Sequence, residues 1–256
     1  MRITHVTGSV SRNAGGLFVA VRRLAESLSG REEVTVNVIG LQDERTSQDI
    51  QEWREDVRPV ALNVMGPSRW GYAPRLQRAI RETNPDIVHV HGIWMYTSMV
   101  AGRYSRRTDT SYLITPRGML DPWAGNHSGW KKEVVGWLFE DKNMGQASCL
   151  HALCDREMEA IRAYGLETPV CVVPNAVDLP DLSSYGEDRE SVERKVLLFL
   201  GRIHPKKGLE ELIEAWASLP EKKRSEWKVA IVGWDDGGFE GQLKEKVKAK
   251  RIQKDV

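Results

Sequence analysis

The sequence predicts an α/β protein in which parallel sheets carry helices on both faces. Along most of its 256 residues, short apolar or β-branched segments alternate with segments whose apolar residues recur at helical spacing. Such alternation is typical of strand–helix–strand units, whose crossovers bring successive strands parallel to one another. The stretch DIVHV at 86–90 has the largely apolar character of a parallel strand buried on both faces.

Residues 1–180 contain enough of these units for one complete domain. The helix after the first strand has an apolar face and is expected to stop at Gly30. That face consists of Leu17, Val21, Leu24 and Leu28. Another helix ends at Asn84, because the residue before Pro85 disfavours helical backbone. The predicted strands are 3–7, 34–41, 57–64, 86–90, 111–115, 147–153 and 170–173, and the predicted helices are 17–28, 74–83, 94–107, 130–144 and 155–164, with a short surface helix within 42–56.

The chain changes character at 181–194, DLSSYGEDRESVER, which is polar without an apolar period and is predicted to link two domains. The alternation then resumes with strands at 195–200 and 227–232 and helices at 208–218 and 240–250. Two strand–helix units in roughly 65 residues fall short of the ~100 or more that doubly wound domains usually have. We therefore expect an incomplete second domain at 195–256.

Composition and charge indicate which binding partners and which cellular compartment to expect. With 41% hydrophobic and 29% charged residues, the chain has the make-up of a soluble globular protein. Its 37 basic and 36 acidic side chains nearly cancel, so nucleic acid is not an expected partner and any phosphate affinity must be local. No stretch approaches the ~18–20 apolar residues of a membrane span, and the N-terminus lacks the apolar core of a signal peptide. Cys149, Cys154 and Cys171 lack metal-type spacing and favour a reducing, cytoplasmic compartment.

The stretch FLGRIHPKKGL at 199–209 joins a predicted strand to a predicted helix through a basic loop. A helix N-terminus offers unpaired N–H groups and partial positive charge, so phosphate is a natural ligand there. After the strand breaks at Gly201, the fork of Arg202 and the point charge of Lys207 would add to that attraction. A solvated basic turn between two core elements explains the same local pattern equally well.

The loop GSVSRNAGG after the first strand ends in Gly15 and Gly16 at the start of a helix. Glycine permits positive φ there and lets a ligand approach the backbone closely. The spacing does not match the G-x-G-x-x-G fingerprint of dinucleotide binding. A plain tight turn is the alternative.

Two histidines, His89 and His91, share one side of the strand at 86–90, since their spacing is two. Ligands of open parallel sheets bind beyond the carboxyl ends of the strands, which favours a function for His91 and a structural role for His89. An imidazole at that place could position a sugar hydroxyl or polarise a leaving group. Because no Asp, Glu or Cys ligand lies nearby in the sequence, zinc binding by the two histidines is disfavoured, and no metal site is predicted.

Arg117 follows directly on the strand at 111–115 and opens a long loop, PRGMLDPWAGNHS, that shows no periodicity. Loops of this length in compact domains tend to be functional or mobile. Arg117 is therefore a candidate ligand-binding residue, with solvent exposure as the alternative. No Ser-His-Asp arrangement, nucleophile elbow or Walker-type P-loop occurs, which argues against those hydrolytic mechanisms.

Taken in order, several of these motifs resemble one large family. The Gly-Gly loop, DIVHVHG, PNAVD and FLGRIHPKKGLEELIEAW together are similar to the retaining GT-B glycosyltransferases, also called group 1 glycosyltransferases. The stretch HGIW…TPRGMLDPW…LHAL…IRAYG resembles the branch associated with bacterial surface-polysaccharide synthesis. The resemblance runs from residue 1 to about 250 and implies a GT-B-like fold, with a complete Rossmann-like N-terminal domain and an incomplete second one.

The resemblance also implies roles for matched residues. Arg202 and Lys207 would bind the diphosphate of a nucleotide-sugar donor and stabilise the leaving nucleoside diphosphate, next to Gly201. Gly16, beside Gly15, would contact donor phosphate or acceptor through its backbone. His91 would lie against the donor sugar and act in catalysis with Arg202 and Lys207, while Arg117 is grouped with the donor-binding residues. Such enzymes generally need no metal or other cofactor, and transfer a hexose with retention to a glycan or lipid-linked acceptor.

Two departures from the family pattern qualify this expectation. The acidic E-x7-E segment that holds the nucleotide ribose and donor sugar in the family does not occur before Val256, so we expect a truncated donor domain whose turnover is in doubt. Ala176 replaces the usual glycine of the Pro-Asn-Gly-Val-Asp turn. Two alternatives stay open, namely a non-catalytic module that binds nucleotide sugar or glycan and a GT-B sugar epimerase. A basic cluster suits either a solvated helix end or peripheral contact at the inner face of the cytoplasmic membrane. It consists of Arg103, Arg106 and Arg107.

Overall fold

A computed structural model describes residues 1–67, 70–121, 139–179, 194–235 and 237–256. The chain divides into two compact units, Met1–Asp178 and Leu179–Val256, and each is described by itself. Nearly all of the predicted linker at 181–194 lies outside the described residues, as does most of the predicted helix at 130–144. In the described part of the chain, no helix combines the length and apolar character needed to cross a bilayer.

The first unit is built on a parallel sheet of seven strands in the order β3-β2-β1-β4-β5-β6-β7. The strands are β1 Arg2–Thr7, β2 Thr35–Leu41, β3 Val60–Leu62, β4 Ile87–His91, β5 Ser111–Thr115, β6 Cys149–Ala152 and β7 Val170–Val172. The helices are α1 Gly16–Ser29, α2 Thr46–Asp49, α3 Leu76–Thr83, α4 Tyr96–Thr108, α5 Asp141–Gly145 and α6 Asp155–Ala163. The predicted α/β fold class is confirmed.

Most predicted element boundaries agree with the structure within a few residues, and the differences have local causes. The strand predicted at 57–64 is reduced to β3, because residues 55–57 form a 3-10 turn that ends in the buried Val57. Helix α3 ends as expected, with Asn84 in the left-handed conformation at φ 45° before Pro85. Of the helix predicted at 130–144, the described residues show its end as α5.

The buried face of α1 is rotated from the predicted one. Phe18, Val21 and Ala25 are its buried apolar residues, and the predicted Leu17, Leu24 and Leu28 are only partly covered. Phe18 packs its ring edge-on against that of the buried Trp53, with ring centroids 5.9 Å apart. Such an aromatic pair contributes beyond its area burial, and the helix turns its face to meet Trp53. Trp53 lies in the stretch after β2, so the helical spacing of α1 alone could not indicate this contact.

The second unit contains a parallel pair of strands, β8 Lys195–Leu200 and β9 Trp227–Val232. Its helices are α7 Leu209–Ser218, α8 Glu221–Arg224 and α9 Phe239–Ala249. One face of the sheet packs Val229, Phe199 and Ile231 against an apolar cluster from the helices, which includes Leu209, Ile213, Trp216, Leu243 and Val247. The other face exposes Val196, Leu198, Leu200 and Val232, which alternate with the packed residues as the strand period of two requires.

Candidate functional site

The strand order of the first unit reverses between β1 and β4, which both start crossovers to opposite edges of the sheet. In open parallel sheets, ligands bind in the crevice outside the carboxyl ends of the strands at such a switch point. Thr7 ends β1 and His91 ends β4, and the two residues are direct partners across the ladder. The topology therefore places the His91 end of β4 and the glycine loop after β1 side by side at this point.

The loop after β1 is held in place by a carboxylate from the loop after β2. Ser9 Oγ donates to Asp43 Oδ2 over 2.6 Å, and Ser11 Oγ donates to Asp43 Oδ1 over 2.7 Å. Partial burial opposes ionisation of Asp43, but hydrogen bonds from these serines and Thr46 hold the pKa of its carboxyl below the ordinary value. The loop is thus ordered by an anionic acceptor before any ligand binds.

Gly15 and Gly16 form the junction between this loop and α1. Gly15 has φ 57° and ψ −131°, a backbone conformation that essentially only glycine adopts without strain. A Cβ at Gly16 would meet no heavy atom within 4 Å among the described residues, so packing does not require glycine there. The first turn of α1 carries no acidic side chain and no side-chain cap, which leaves its N–H groups and dipole directed at the switch point.

Strands β1, β4 and β6 contribute a buried histidine cluster, which we define as His5, His89, His91 and His151. His5 Nδ1 lies 3.0 Å from His91 Nε2, and the rings of His89 and His91 have centroids 4.1 Å apart. Thr115 Oγ1 bridges the other two members, at 2.8 Å from His89 Nε2 and 3.0 Å from His151 Nδ1. All four side chains are at least nine-tenths buried.

Three members of the cluster, His5, His89 and His91, are neutral at physiological pH. Burial, reinforced by the charge of Arg117, lowers the pKa of His5 from 6.5 to about 4. Burial also lowers the pKa of His89 and of His91 well below the ordinary value, with further effects from the neighbouring histidines and Arg117. An uncharged imidazole offers one donor and one acceptor nitrogen, so the hydrogen-bond partners fix which nitrogen carries the proton.

Arg117 closes the cluster from the carboxyl end of β5. Its Nη2 lies 3.0 Å from His91 Nδ1, and its Nη1 donates to Asn175 Oδ1 over 2.8 Å. Burial lowers the pKa of Arg117 to about 10, an effect that Glu157 opposes, and the guanidinium stays charged at neutral pH. The backbone of Arg117 is left-handed at φ 59°, a costly conformation for a residue with a long side chain.

The nitrogen atoms of His5, His89 and His91 that could ligate a metal lie within 4.8 Å of one another. The chemistry of the second shell opposes that use. Metal-bound histidines normally donate their other ring N–H to a carboxylate, carbonyl or water. Arg117 has only donors and already points one at His91 Nδ1, so a metal on His91 Nε2 would require an imidazolate. The cluster suits hydrogen-bonded neutral histidines better than a cation.

The basic loop of the second unit follows β8. Gly201 and Gly233 pass so closely that a Cβ on Gly233 would lie 1.8 Å from the carbonyl oxygen of Gly201. Ile203 continues the pairing as a bridge to Asp235, and residues 205–207 form a 3-10 turn. Arg202 and Lys207 are both exposed on this segment.

Gly208 joins that turn to α7. At φ 67° it is left-handed, which favours glycine, and it caps the helix without a side-chain hydrogen bond. The N–H groups of the first turn therefore face the basic loop, although Glu210 and Glu211 in the same turn reduce its positive potential. The local elements that the sequence predicted for a phosphate-binding loop are present.

The structure brings His91 and Arg117 into contact and puts Gly15 and Gly16 at the neighbouring strand end. Gly201, Arg202 and Lys207 lie together in the second unit. The three arginines proposed for a membrane surface, Arg103, Arg106 and Arg107, are all exposed, and Arg106 also donates to Tyr112 and Asn143. Sequence reasoning missed His5, Asp43, Thr115, His151, Glu157 and Asn175.

The family comparisons agree with these local features. Residues 15–176 match the family model described as a glycosyl transferase 4-like domain. Residues 186–256 match the model described as glycosyl transferases group 1. No curated protein sequence matches the chain.

Solved structures resemble the chain over its full length at low identity. The Anabaena protein Alr3699/HepE in complex with UDP and glucose has a TM-score of 0.72 and 16% identity, covering 100% of this chain and 68% of its own. The lipopolysaccharide outer core galactosyltransferase WaaB has a TM-score of 0.64 and 18% identity, covering 100% and 67%. The UDP-GlcNAc 2-epimerase from Neisseria meningitidis has a TM-score of 0.60 and 15% identity, covering 97% and 70%. Because the transferase 4-like model matches more than half of the chain and the group 1 model follows it, the chain belongs to the GT-B glycosyltransferases.

Proposed function

We propose that the protein transfers a hexose from a nucleotide-diphosphate sugar to a glycan or lipid-linked acceptor, with retention, in polysaccharide or lipopolysaccharide synthesis. The observation that carries the proposal is the tandem of two glycosyltransferase domains, one on each compact unit. HepE, whose structure holds UDP and glucose, and WaaB, a lipopolysaccharide galactosyltransferase, share the fold and support this choice of donor and pathway. Retention rests on the family resemblance of the sequence.

The basic loop of the second unit would bind the leaving diphosphate. Arg202 offers a planar fork for two phosphate oxygens, and Lys207 offers a compact charge two residues before the start of α7. The uncapped N–H groups after Gly208 add fixed dipoles, which act where negative charge develops as the sugar departs. Catalysis by this loop is electrostatic and needs no proton transfer from Arg202 or Lys207.

In the first unit, the N-terminus of α1 and Arg117 supply the positive potential. Gly16 leaves room for a ligand to approach the backbone, since a Cβ there meets nothing within 4 Å in the described residues. That His91 lies against the donor sugar stays an expectation from the resemblance, and its ring nitrogens are already engaged. Its Nδ1 and Nε2 already meet Arg117 and His5, so a sugar hydroxyl could bind either nitrogen only by replacing one of these contacts.

A sugar epimerase is the second candidate, because several structural neighbours are UDP-GlcNAc 2-epimerases. The two domain matches, both to glycosyltransferases, favour transfer over epimerisation. Product analysis separates the two activities. An epimerase changes the sugar of a nucleotide sugar without an acceptor, whereas a transferase releases nucleoside diphosphate when an acceptor is present.

Calorimetric titration with UDP and GDP tests the phosphate role directly. We expect Arg202→Ala and Lys207→Ala each to weaken the affinity for the preferred nucleotide about tenfold or more, since charge-assisted hydrogen bonds contribute roughly 1.5–3 kcal/mol. Lys222→Ala, which removes the same charge from exposed α8, is the matched control and should leave affinity within about twofold. Unchanged affinity for both nucleotides in both loop variants would contradict the proposal.

A further inference from the structure

We propose that Arg117 is an anion-binding residue of the first unit, and that His91 and Asn175 are the positioning residues that orient it without neutralising its charge. The expected ligand is a phosphate group of a diphosphate compound. This inference deepens the proposed function and rests on it for the identity of the ligand, since both the donor and a lipid-linked acceptor would carry a diphosphate. The family resemblance groups Arg117 with the donor-binding residues; the inference adds which group of the ligand Arg117 would bind and which residues orient it.

The hydrogen-bond directions follow from the donors alone. A guanidinium can only donate, so His91 Nδ1 must accept from Arg117 and the proton of neutral His91 must be on Nε2. His91 Nε2 then donates to His5 Nδ1, which places the His5 proton on its own Nε2. That last donor is buried and has no partner in the described part of the chain. One directed chain thus runs from Arg117 through His91 to His5.

A second chain fixes the loop that carries Asn175. His151 Nε2 donates to the carbonyl oxygen of Val173 over 2.8 Å, and its Nδ1 lies 3.0 Å from Thr115 Oγ1. The same hydroxyl oxygen lies 2.8 Å from His89 Nε2. The backbone two residues before Asn175 is therefore anchored to the sheet. The amide oxygen of Asn175 accepts from Arg117, and the loop that carries Asn175 is anchored through His151 of the cluster.

Among the residues that the structure describes, no carboxylate pairs directly with the guanidinium of Arg117. Its two contacts are an imidazole nitrogen and an amide oxygen, both uncharged acceptors. The nearby carboxylate of Glu157 accepts instead from the backbone N–H groups of Gly118 and Leu153, over 2.6 and 2.7 Å. Within the described ranges it forms no ion pair with Arg117, so its effect on the guanidinium is at longer range.

Arg117 has N–H donors beyond its two observed contacts. A guanidinium has five N–H groups, and the two contacts leave three of them, including a buried Nε that finds no acceptor among the residues described. Arg117 is partly exposed and Asn175 is exposed, so the group can be reached from solvent. A phosphate can accept two parallel hydrogen bonds from such a fork. The strained left-handed backbone of Arg117 fits a residue held for binding rather than for packing.

Asn175→Asp is the sharpest test, because it keeps an acceptor oxygen in the same place and supplies the missing negative charge. We expect the variant to be at least as stable as the wild type but to bind diphosphate about tenfold more weakly. Asn175→Ala is the companion variant, which loses the positioning contact without adding charge. If Asn175 served the fold alone, Asp would preserve its function and binding would not change.

Two substitutions of His91 separate positioning from direct contact. Asn presents its side-chain oxygen near the place of Nδ1 and can still accept from Arg117, whereas Gln reaches the place of Nε2 and leaves Arg117 without that acceptor. We expect His91→Asn to retain most of the affinity and His91→Gln to lose about tenfold. Equal losses in both variants would overturn the positioning role. Nitrogen-15 NMR of the wild type adds a direct check, since a proton on His91 Nδ1 would contradict the hydrogen-bond direction.

The affinities are measured by calorimetry with pyrophosphate, UDP, GDP and farnesyl diphosphate as probes. Weaker binding of UDP or GDP by Asn175→Asp identifies the donor as the source of the phosphate, and weaker binding of farnesyl diphosphate alone identifies the acceptor. Equal binding of every probe by wild type and Asn175→Asp would overturn the inference, as would a wild type that binds none of them. The proposed function fails separately, on Arg202→Ala and Lys207→Ala, so the two failures can be told apart.

Discussion

The buried neutral histidines His5, His89 and His91 make the first unit sensitive to acid, and His5 allows the size of the effect to be measured. His5 is fully buried, and burial lowers its pKa from 6.5 to about 4. The unfolded chain therefore binds a proton at this site below pH 6.5 while the folded chain does not until about pH 4. Stability from His5 is present above pH 6.5 and is lost as the pH falls through this window.

The size of the effect follows from the pKa values of the folded and unfolded states. At 1.36 kcal/mol per pH unit, a pKa that falls from 6.5 to about 4 corresponds to about 3 kcal/mol lost by pH 4. Between pH 7 and pH 5 the loss is about 2 kcal/mol. His89 and His91 have pKa values lowered in the same direction, so the wild type should lose still more over this range.

His5→Asn isolates the contribution of one residue. An asparagine oxygen near the place of Nδ1 can still accept from His91 Nε2, so the hydrogen-bonded chain survives while the titrating group is gone. The substitution destabilises the protein by some constant amount at pH 7. We expect the difference in unfolding free energy between wild type and variant to be about 2 kcal/mol smaller at pH 5 than at pH 7. The reason is that only the wild type has His5, whose protonation favours the unfolded state.

The measurement is urea unfolding followed by circular dichroism at half-unit steps from pH 7 to pH 5, with both proteins in the same buffers. Val21→Ala, which shortens a buried side chain of α1 in the same unit and removes no titrating group, is the control, and its difference from wild type should stay constant over this range. A gap between wild type and His5→Asn that is the same at pH 7 and pH 5 would show that His5 is not held neutral by burial.

Two further predictions concern backbone and loop. Gly208→Ala should destabilise the second unit by about 1 kcal/mol, because the φ of 67° at this position is unfavourable for alanine. Gly241→Ala, inside α9, should stabilise the unit by up to about 1 kcal/mol, because alanine favours helix. Urea unfolding of both variants tests whether the two changes have opposite signs. Asp43→Ala removes the shared acceptor of Ser9 and Ser11 and should cost about 1–3 kcal/mol, and unchanged urea unfolding would contradict its role in ordering the glycine loop.

The fold was predictable because its signals are local. Alternating strand and helix patterns fix the class, and stop signals such as Asn84 before Pro85 act within a few residues. The face of α1 was predicted less well, since the contact between Phe18 and Trp53 joins residues 35 positions apart. Helical spacing alone cannot indicate which of two adjoining apolar rows such a distant partner will bury.

The site residues at the ends of strands were predictable from the sequence, but the buried histidine cluster was not. Arg117 and His91 follow from their places at carboxyl ends of strands, which a sequence pattern can locate. His5 lies directly opposite His89 in the ladder between β1 and β4, and that register is set by tertiary pairing. The sequence pattern therefore indicates two histidines where the sheet assembles four. The structural argument against a metal, the hydrogen bond from Arg117 to His91, likewise depends on the fold.

Arg117 differs from two other arginines of the first unit, Arg12 and Arg106, in how its positive charge is balanced. Arg12 pairs directly with the buried carboxylate of Asp49 at 2.6 Å, so its charge is cancelled within the fold. Arg106 has neutral partners, but it lies in the last turn of α4, where the helix dipole supplies partial negative charge. Arg117 sits at the carboxyl end of the sheet with neutral partners and with Glu157 engaged elsewhere. If Arg117 served packing alone, a carboxylate partner like the one that Arg12 has would stabilise it better. The positive charge that Arg117 keeps among the described residues therefore points to a ligand that supplies the negative charge.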